Sequence, residues 1–144
     1  MMISPEHAYD LVLLALCIWR EARGEPVDAK RGVAWVVRNR VTHPSWWGKD
    51  WNSVILKPWQ FSSFNTTDSN SVKWPSPLDT AWQASLEAAG EVFAGDGADP
   101  TGGATHYHDD SLDAEPPAWA RDGSMTPTVH LGRLRFFRPA ARRN

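Results

Sequence analysis

The chain has 144 residues, and its 42% hydrophobic and 22% charged residues are typical of a globular domain that forms its own core. A net charge of -2 gives no general attraction to nucleic acid, and the single cysteine, Cys17, excludes a disulfide within the chain. We therefore predict one domain over 1–144, with a core from about 5 to 137 and a basic tail over 138–144.

The first predicted element is an amphipathic helix that begins at Ser4-Pro5, an N-cap followed by proline at the first helical position. Its apolar residues recur every three or four positions up to Trp19, and the Gly-Glu-Pro sequence over 24–26 ends it. The first ten residues lack the basic region of a signal peptide, and the apolar run is too short to span a bilayer. We therefore expect no export address here.

Glu21 lies in the last turn of this predicted helix. A carboxyl there is close to the negative end of the helix dipole and to apolar side chains, and both disfavour its ionised form. An acid that stays protonated near neutral pH can donate a proton to a leaving oxygen, which is the chemistry of glycosidic-bond cleavage. Glu21 is therefore the leading candidate for a general acid. No equally good second carboxylate is found.

A second helix is predicted from about Asp28 to Val41, with valines on its buried face. Its charged residues Arg31, Arg38 and Arg40 are predicted to lie in solvent. We expect the first two helices to pack together as a hairpin.

The region over 42–75 is a long loop, rich in tryptophan, with a short helical turn around 52–56. Indole rings stack on the apolar faces of sugars, so the loop tryptophans are candidates for sugar binding, with a small satellite core or a protein-binding patch as the alternative. Trp35 and Trp82, at helical spacing, are assigned to packing. The loop tryptophans are Trp46, Trp47, Trp51, Trp59 and Trp74.

A third helix is predicted with Ser76-Pro77 as its N-cap and first residue and Gly95 as its end. Beyond it, Ala104–His108 is predicted as a short strand and Thr128–Phe137 as a final strand. Gly132, inside the final strand, indicates a bulge or a turn.

Two histidines of the predicted short strand, His106 and His108, share a face because they are alternate residues. With Asp109 or Asp110 as an oxygen ligand they could hold a metal ion. They serve equally as polar strand residues or as hydrogen-bond partners of a substrate, and we favour this interpretation because further metal ligands are missing. We predict a site without metal or cofactor. A metal-dependent hydrolase that uses His106, His108 and Asp110 is the alternative.

Four segments of the chain resemble the cell-wall hydrolase family that includes spore-cortex-lytic enzymes and phage endolysins. They are Glu21-Ala22-Arg23-Gly24-Glu25-Pro26, Gly32 to Val41, Val54-Ile55 with Pro58-Trp59-Gln60-Phe61-Ser62, and Gly103-Ala104-Thr105-His106-Tyr107. The resemblance runs from about Leu11 to Phe137. It implies an α+β, mainly α-helical, lysozyme-like single domain with a small β-sheet, which cuts the N-acetylmuramic acid to N-acetylglucosamine bond of peptidoglycan.

In that family the glutamate that matches Glu21 is the catalytic acid, and several members are lytic transglycosylases, which leave a 1,6-anhydro sugar. The resemblance therefore implies a lytic transglycosylase or a muramidase, in the setting of a phage endolysin. By resemblance Gln60, Phe61, His106 and Tyr107 are cleft residues. Glu25, Trp59 and Ser62 lie within the same motifs, and we assign them to substrate binding too.

The resemblance also suggests a setting for the protein. We expect a monomer that is made in the cytoplasm of a bacterial or phage-infected cell and acts on the cell wall after release. The basic stretch near the end of the chain would suit an anionic envelope; it contains Arg133, Arg135, Arg138, Arg142 and Arg143. A non-catalytic carbohydrate-binding module is the alternative outside enzymes.

Overall fold

The computed structural model describes residues 4–141, in which helices pack together and against a small antiparallel sheet. The helices are α1 (Pro5–Ala22), α2 (Val27–Thr42), α3 (Trp51–Leu56), α4 (Thr80–Ala94) and α5 (Ala118–Arg121), and the strands are β1 (His106–Asp109), β2 (Met125–Leu131) and β3 (Leu134–Pro139). Short 3-10 turns lie at Ser62–Phe64, Ser69–Val72 and Asp110–Leu112. The predicted fold class, mainly helical with a small sheet, is confirmed.

Helix α1 begins where the sequence predicts, because the Ser4 hydroxyl accepts a hydrogen bond from the backbone N–H of His7 at 3.3 Å. Helices α2, α3 and α4 all pack against α1. Its second half is buried from Leu13 onwards, apart from Glu21, which is half-buried. The helix ends at Ala22, so Glu21 lies in the last turn, as predicted.

Helix α2 joins the helical layer to the sheet. A Cβ at Gly32 would lie 2.6 Å from Cζ of Phe136, a fully buried residue of β3, so the absence of a side chain lets the strand approach the helix. The prediction that Arg40 is on the solvent face is wrong, since only 4% of it is exposed. Arg40 follows Val33 and Val36 on the buried stripe of the helix.

Helix α4 begins later than predicted. Its N-cap is Asp79, whose carboxylate accepts hydrogen bonds from the backbone N–H groups of Ala81 and Trp82. Ser76-Pro77 lies in a turn before the helix, and Leu78, which follows it, is 84% exposed. A bond from the Trp19 indole N–H to the second Asp79 oxygen, 3.1 Å long, ties this cap to α1.

The sheet has the order β1-β3-β2, with both pairs antiparallel. The predicted single strand over Thr128–Phe137 is instead a hairpin of β2 and β3, and Gly132 turns the chain with φ +56°. A register shift between Pro127 and Val129 marks a bulge in β2. The shorter strand β1 pairs with β3, with His106 opposite Phe137.

The loop tryptophans divide into two groups. Trp47 and Trp51 belong to the core and are not sugar-binding candidates: Trp47 is 7% exposed, and the ring of Trp51 packs 4.9 Å from that of Phe93. The aromatic pattern could not separate them from Trp46, Trp59 and Trp74, which are exposed. The predicted packing role of Trp35 and Trp82 is confirmed, because both lie against the core.

The basic stretch near the end of the chain starts inside the hairpin. Arg133 and Arg135 form ion pairs with Asp109 and Asp113, so their charges are partly neutralised there. Arg142 and Arg143 lie outside the described residues. Over residues 4–141 no helix combines the length and the apolar character that crossing a membrane requires.

Candidate active site

A groove of about 520 Å³ opens between the end of α1, the loop over 58–62 and the sheet. Its walls are largely aromatic, with a few polar side chains among the rings. The lining includes Glu21, Arg40, Trp46, Trp59, Gln60, Phe61, Ser62, His106, Tyr107, His108, Asp109 and Trp119. A concave surface with few, convergent polar groups is the usual form of a ligand site.

Glu21 contributes a carboxyl group to this groove. Burial raises the pKa of its carboxyl from 4.5 to about 7, which is the largest effect on it. The hydroxyl of Tyr107 donates a hydrogen bond of 3.3 Å to Glu21 Oε1 and acts in the opposite direction, because it favours the ionised form. At neutral pH the carboxyl therefore exchanges readily between its protonated and ionised states, as an acid and base in turn must.

Two further side chains act on Glu21, and sequence reasoning missed both. The hydroxyl of Ser63, which is fully buried, lowers the pKa of the Glu21 carboxyl, yet it forms no full hydrogen bond with any described residue. The carboxylate of Asp68 raises the same pKa by charge repulsion. Asp68 is held in place by the backbone N–H of Asn70, at 2.8 Å.

Arg40 is a buried cation on α2. Its Nε donates to the carbonyl of Thr105 at 2.7 Å, and Nη1 donates to Oε1 of Gln60 at 3.2 Å. The guanidinium also lies over the rings of Trp47 and Phe61, at 5.5 and 5.4 Å. Burial lowers its pKa to about 10, so it stays charged and fixes the orientation of Gln60 in the groove.

His106 and His108 share one face of β1, as predicted, and both are buried. Burial, with a smaller effect of Arg40, lowers the pKa of His106 to about 4, so its ring is neutral. The ring lies 4.9 Å from that of Trp119, and Nδ1 lies 3.0 Å from the Thr105 hydroxyl. His106 is therefore a neutral polar group in an aromatic wall.

The structure does not assemble the alternative metal site. Asp110 pairs with His130, with 3.2 Å between Oδ2 and Nε2, while His108 Nδ1 lies 2.8 Å from the carbonyl of Asp109. In the part of the chain that the structure describes, no three His, Cys, Asp or Glu side chains are grouped so that they could hold a metal ion. The geometry thus does not place His106, His108 and Asp110 where they could bind one metal ion together.

The groove brings together Glu21 and six of the seven residues predicted to bind substrate: Trp59, Gln60, Phe61, Ser62, His106 and Tyr107. Glu25 is not among the lining residues. It lies at the hairpin turn, where a Cβ on Gly132 would be 2.8 Å from Glu25 Oε2. Asp109 lines the groove as well, and its ionised form is stabilised by the N–H of Ser111.

A half-buried acid with a raised pKa, in a groove walled by aromatic rings, is the arrangement of an acid-catalysing enzyme. A family model described as Cell Wall Hydrolase matches residues 24–137, and the chain belongs to the cell wall hydrolase family. The match begins just after Glu21, so the role assigned to Glu21 depends on the site itself.

Individual relatives agree with this membership. The chain is 32% identical over 112 residues to the spore cortex-lytic enzyme of Halalkalibacterium halodurans. The aligned residues make up 78% of this chain and 31% of the relative. It spans between 31% and 39% of the length of the curated relatives it matches.

Two solved structures share the fold. The catalytic domain of the germination-specific lytic transglycosylase SleB from Bacillus anthracis superimposes with a TM-score of 0.66, at 29% identity, over 90% of this chain and 93% of that one. The catalytic domain of the Bacillus cereus SleB protein gives 0.68, at 28% identity, over 95% and 93%. The predicted family and fold are therefore confirmed.

Proposed function

We propose that this protein cleaves the glycan backbone of peptidoglycan as a lytic transglycosylase, with Glu21 as acid and then as base. The observation that carries the proposal is the Glu21 carboxyl, whose pKa burial raises to about 7 in the wall of an aromatic groove. The family and the lytic transglycosylase named among the structural relatives supply the substrate class and the type of reaction.

In the first step, Glu21 donates its proton to the oxygen that bridges two sugars, and the bond from that oxygen to the anomeric carbon breaks. The resulting Glu21 carboxylate then takes the proton from the C6 hydroxyl of the N-acetylmuramic acid to which this anomeric carbon belongs. That C6 oxygen bonds to the anomeric carbon and closes the 1,6-anhydro ring. No water is consumed, and Glu21 ends protonated as it began.

The surroundings of Glu21 suit both steps. Its burial keeps the acid protonated before the first step. The hydroxyl of Tyr107, 3.3 Å from Oε1, stabilises the carboxylate that exists between the steps. Since this bond strengthens as negative charge develops, it favours the intermediate state over the resting acid.

The walls of the groove supply the binding surface. Trp46, Trp59 and Trp119 present ring faces of the kind that stack on pyranoses. Arg40 holds the amide of Gln60 in one orientation, so Gln60 can bind a hydroxyl or N-acetyl group without losing side-chain freedom. The neutral ring of His106 can also bind a hydroxyl or N-acetyl group of the sugar.

A turbidity assay on purified cell walls tests this proposal, with Glu21→Gln as the variant and Glu87→Gln, at an exposed position on α4, as the matched control outside the groove. Glu21→Gln is expected to lose at least a factor of about a hundred in rate, because an amide cannot donate the proton, while it still binds walls. Glu87→Gln is expected to clear walls normally. Near-normal clearing by Glu21→Gln would refute the role of Glu21.

Mass spectrometry of the released fragments identifies the reaction. Anhydro ends are expected for a transglycosylase, and they should persist in Asp109→Asn, because Asp109 has no part in the steps above. Reducing ends that disappear in Asp109→Asn would instead show hydrolysis with Asp109 as the second carboxylate.

Two alternatives predict other outcomes. A metal-dependent hydrolase would lose activity in EDTA and keep it in Glu21→Gln. A carbohydrate-binding module would sediment with walls without clearing them. Action as a monomer on the wall, after release from the cell that makes the protein, is part of the proposal.

A further inference from the structure

Trp59 is shared by the groove and a second cavity. It lines the groove with Glu21, and it also lines a neighbouring cavity of about 260 Å³. Trp59 is 74% exposed, so it is not a core residue. The rest of the second cavity is formed by Leu56, Pro58, Phe64, Asn65, Thr66 and Thr67.

The backbone at Trp59 is held in an unusual conformation. Its φ is +67°, and it is the one non-glycine residue in the described chain with a positive φ. The side-chain carbonyl of Asn65 accepts a hydrogen bond from the Trp59 N–H at 3.1 Å, which links this conformation to the wall of the second cavity. Such strain in a large residue is characteristic of ligand sites, where it serves to place a side chain.

The lining of the second cavity specifies the chemistry of its ligand. None of its seven residues is ionisable, which disfavours the charged peptide stems of peptidoglycan and anionic polymers. An indole and a phenyl ring beside two threonine hydroxyls and an amide match a neutral sugar, which has both an apolar face and hydroxyl groups.

We propose that the second cavity binds a sugar of the same glycan strand, one step beyond the sugars held in the groove. This inference rests on the proposed function, because it takes the groove to hold the strand at the cleavage point. Trp59 is then a shared wall that contacts sugars on both sides. Occupation of the remote cavity would add binding energy for long strands only.

Calorimetry with N-acetylglucosamine oligomers tests this inference in the Glu21→Gln protein. The hexamer is expected to bind about tenfold more tightly than the tetramer. Thr67→Arg, which fills the second cavity from an exposed position, should reduce the affinity for the hexamer to that for the tetramer and leave the tetramer unchanged. Thr80→Val, an exposed threonine elsewhere, is the control.

An unchanged ratio of hexamer to tetramer affinity in Thr67→Arg would overturn the inference, as would a ratio of one in the parent protein. Both outcomes concern the binding of oligomers by the Glu21→Gln protein. They do not depend on whether the protein with Glu21 intact clears cell walls. Failure of the second cavity is thus distinguishable from failure of the proposed function.

A different observation concerns Arg20, which precedes Glu21 on α1 and is 7% exposed. Its guanidinium donates to the carbonyls of Ser63, Ser71 and Lys73, at 3.4, 3.1 and 3.1 Å. It also lies between the rings of Phe64 and Trp74, 5.0 Å from each. Among residues 4–141 no carboxylate forms an ion pair with it, and the hydrogen bonds and ring contacts of its guanidinium are all with one segment, 63–74.

This segment carries both Ser63 and Asp68. These two side chains, in addition to Tyr107, shift the pKa of the Glu21 carboxyl. The geometry points to Arg20 as a positioning residue that holds the segment over the general acid. A guanidinium suits this role because its planar fork reaches several carbonyls at once, which a lysine ammonium on a flexible stem cannot do.

The pH dependence of kcat/KM for wall fragments tests this role in Arg20→Met and Arg20→Lys. Activity needs protonated Glu21, so it falls as pH rises through the pKa of Glu21. A loosened segment admits water and lowers that pKa, and the alkaline midpoint should move down by about one pH unit in Arg20→Met and by less in Arg20→Lys. Arg31→Lys, on the surface of α2, is the control. A folded Arg20→Met protein with an unmoved midpoint would show that Arg20 is merely structural.

Discussion

Replacing Glu21, the general acid of the proposed mechanism, should make the protein more stable while it removes activity. The carboxyl of Glu21 ionises at 4.5 in an ordinary environment and at about 7 in the folded protein, because burial disfavours its charge. An acid with a raised pKa contributes its full stability below about pH 4.5, and that contribution is lost as pH rises through 7. Glu21→Gln has no charge to bury at any pH.

The magnitude follows from the two pKa values. The difference between 4.5 and about 7, at about 1.4 kcal/mol for each pH unit, gives about 3 kcal/mol in the free energy of unfolding. The free energy of unfolding of Glu21→Gln, relative to that of the parent protein, should therefore increase by about 3 kcal/mol as the pH rises from about 4 to about 8.5. This is a large part of the stability of a domain of this size.

Urea unfolding at a series of pH values measures the effect. Other titrating groups are common to both proteins, so the difference between the two free energies isolates Glu21. Glu87→Gln, at an exposed position on α4, is the matched control for the exchange of a carboxylate for an amide. A Glu21→Gln difference that is constant within about 0.5 kcal/mol from acid to alkaline pH would refute the account of Glu21 as an acid whose charge is buried.

Three further predictions concern neighbours of Glu21 and the docking of the sheet. Tyr107→Phe removes the hydroxyl that favours ionised Glu21, so the alkaline limb of the rate profile should move to higher pH and kcat should fall about tenfold or more, measured on wall fragments across pH. Asp68→Asn removes a charge that repels the Glu21 carboxylate, so the same limb should move to lower pH, by up to about one unit; a limb that moves upward would contradict the charge argument. Gly32→Ala places a Cβ 2.6 Å from Phe136 Cζ and should lower the free energy of unfolding by about 1–3 kcal/mol in urea, whereas Gly90→Ala, with open space around it, should not destabilise α4.

The sequence predicts α1 and the position of Glu21 in its last turn well, because both depend on local signals. Ser4-Pro5 and the Gly-Glu-Pro over 24–26 act on the backbone within a few residues, and one face of the helix is continuously apolar. The candidate groove residues came from motifs that sequence similarity recognises, and the structure brings all but Glu25 together.

The predictions failed mainly where contacts between residues that are distant in the sequence determine the structure. Both Ser76 and Asp79 are good caps, and α4 starts at Asp79, where the indole of Trp19 bonds the cap from another helix. Asp68 acts on Glu21 from 47 positions away, at the end of a loop without periodicity. Arg40 is the exception, because its spacing from Val33 and Val36 indicated the buried stripe and only its charge argued for solvent.

The hydrogen bond between Tyr107 and Glu21 joins positions that are 86 residues apart. A ribosome therefore completes the first helix long before the strand that supplies the hydroxyl exists, and β1 needs β3, which is made later still. Until then the Glu21 carboxyl is in water, where it ionises at its ordinary pKa and cannot serve as an acid at neutral pH. The proton-donating state that we propose for Glu21 therefore forms only after β1 and β3 have been made and paired, although the helix that carries Glu21 is made much earlier.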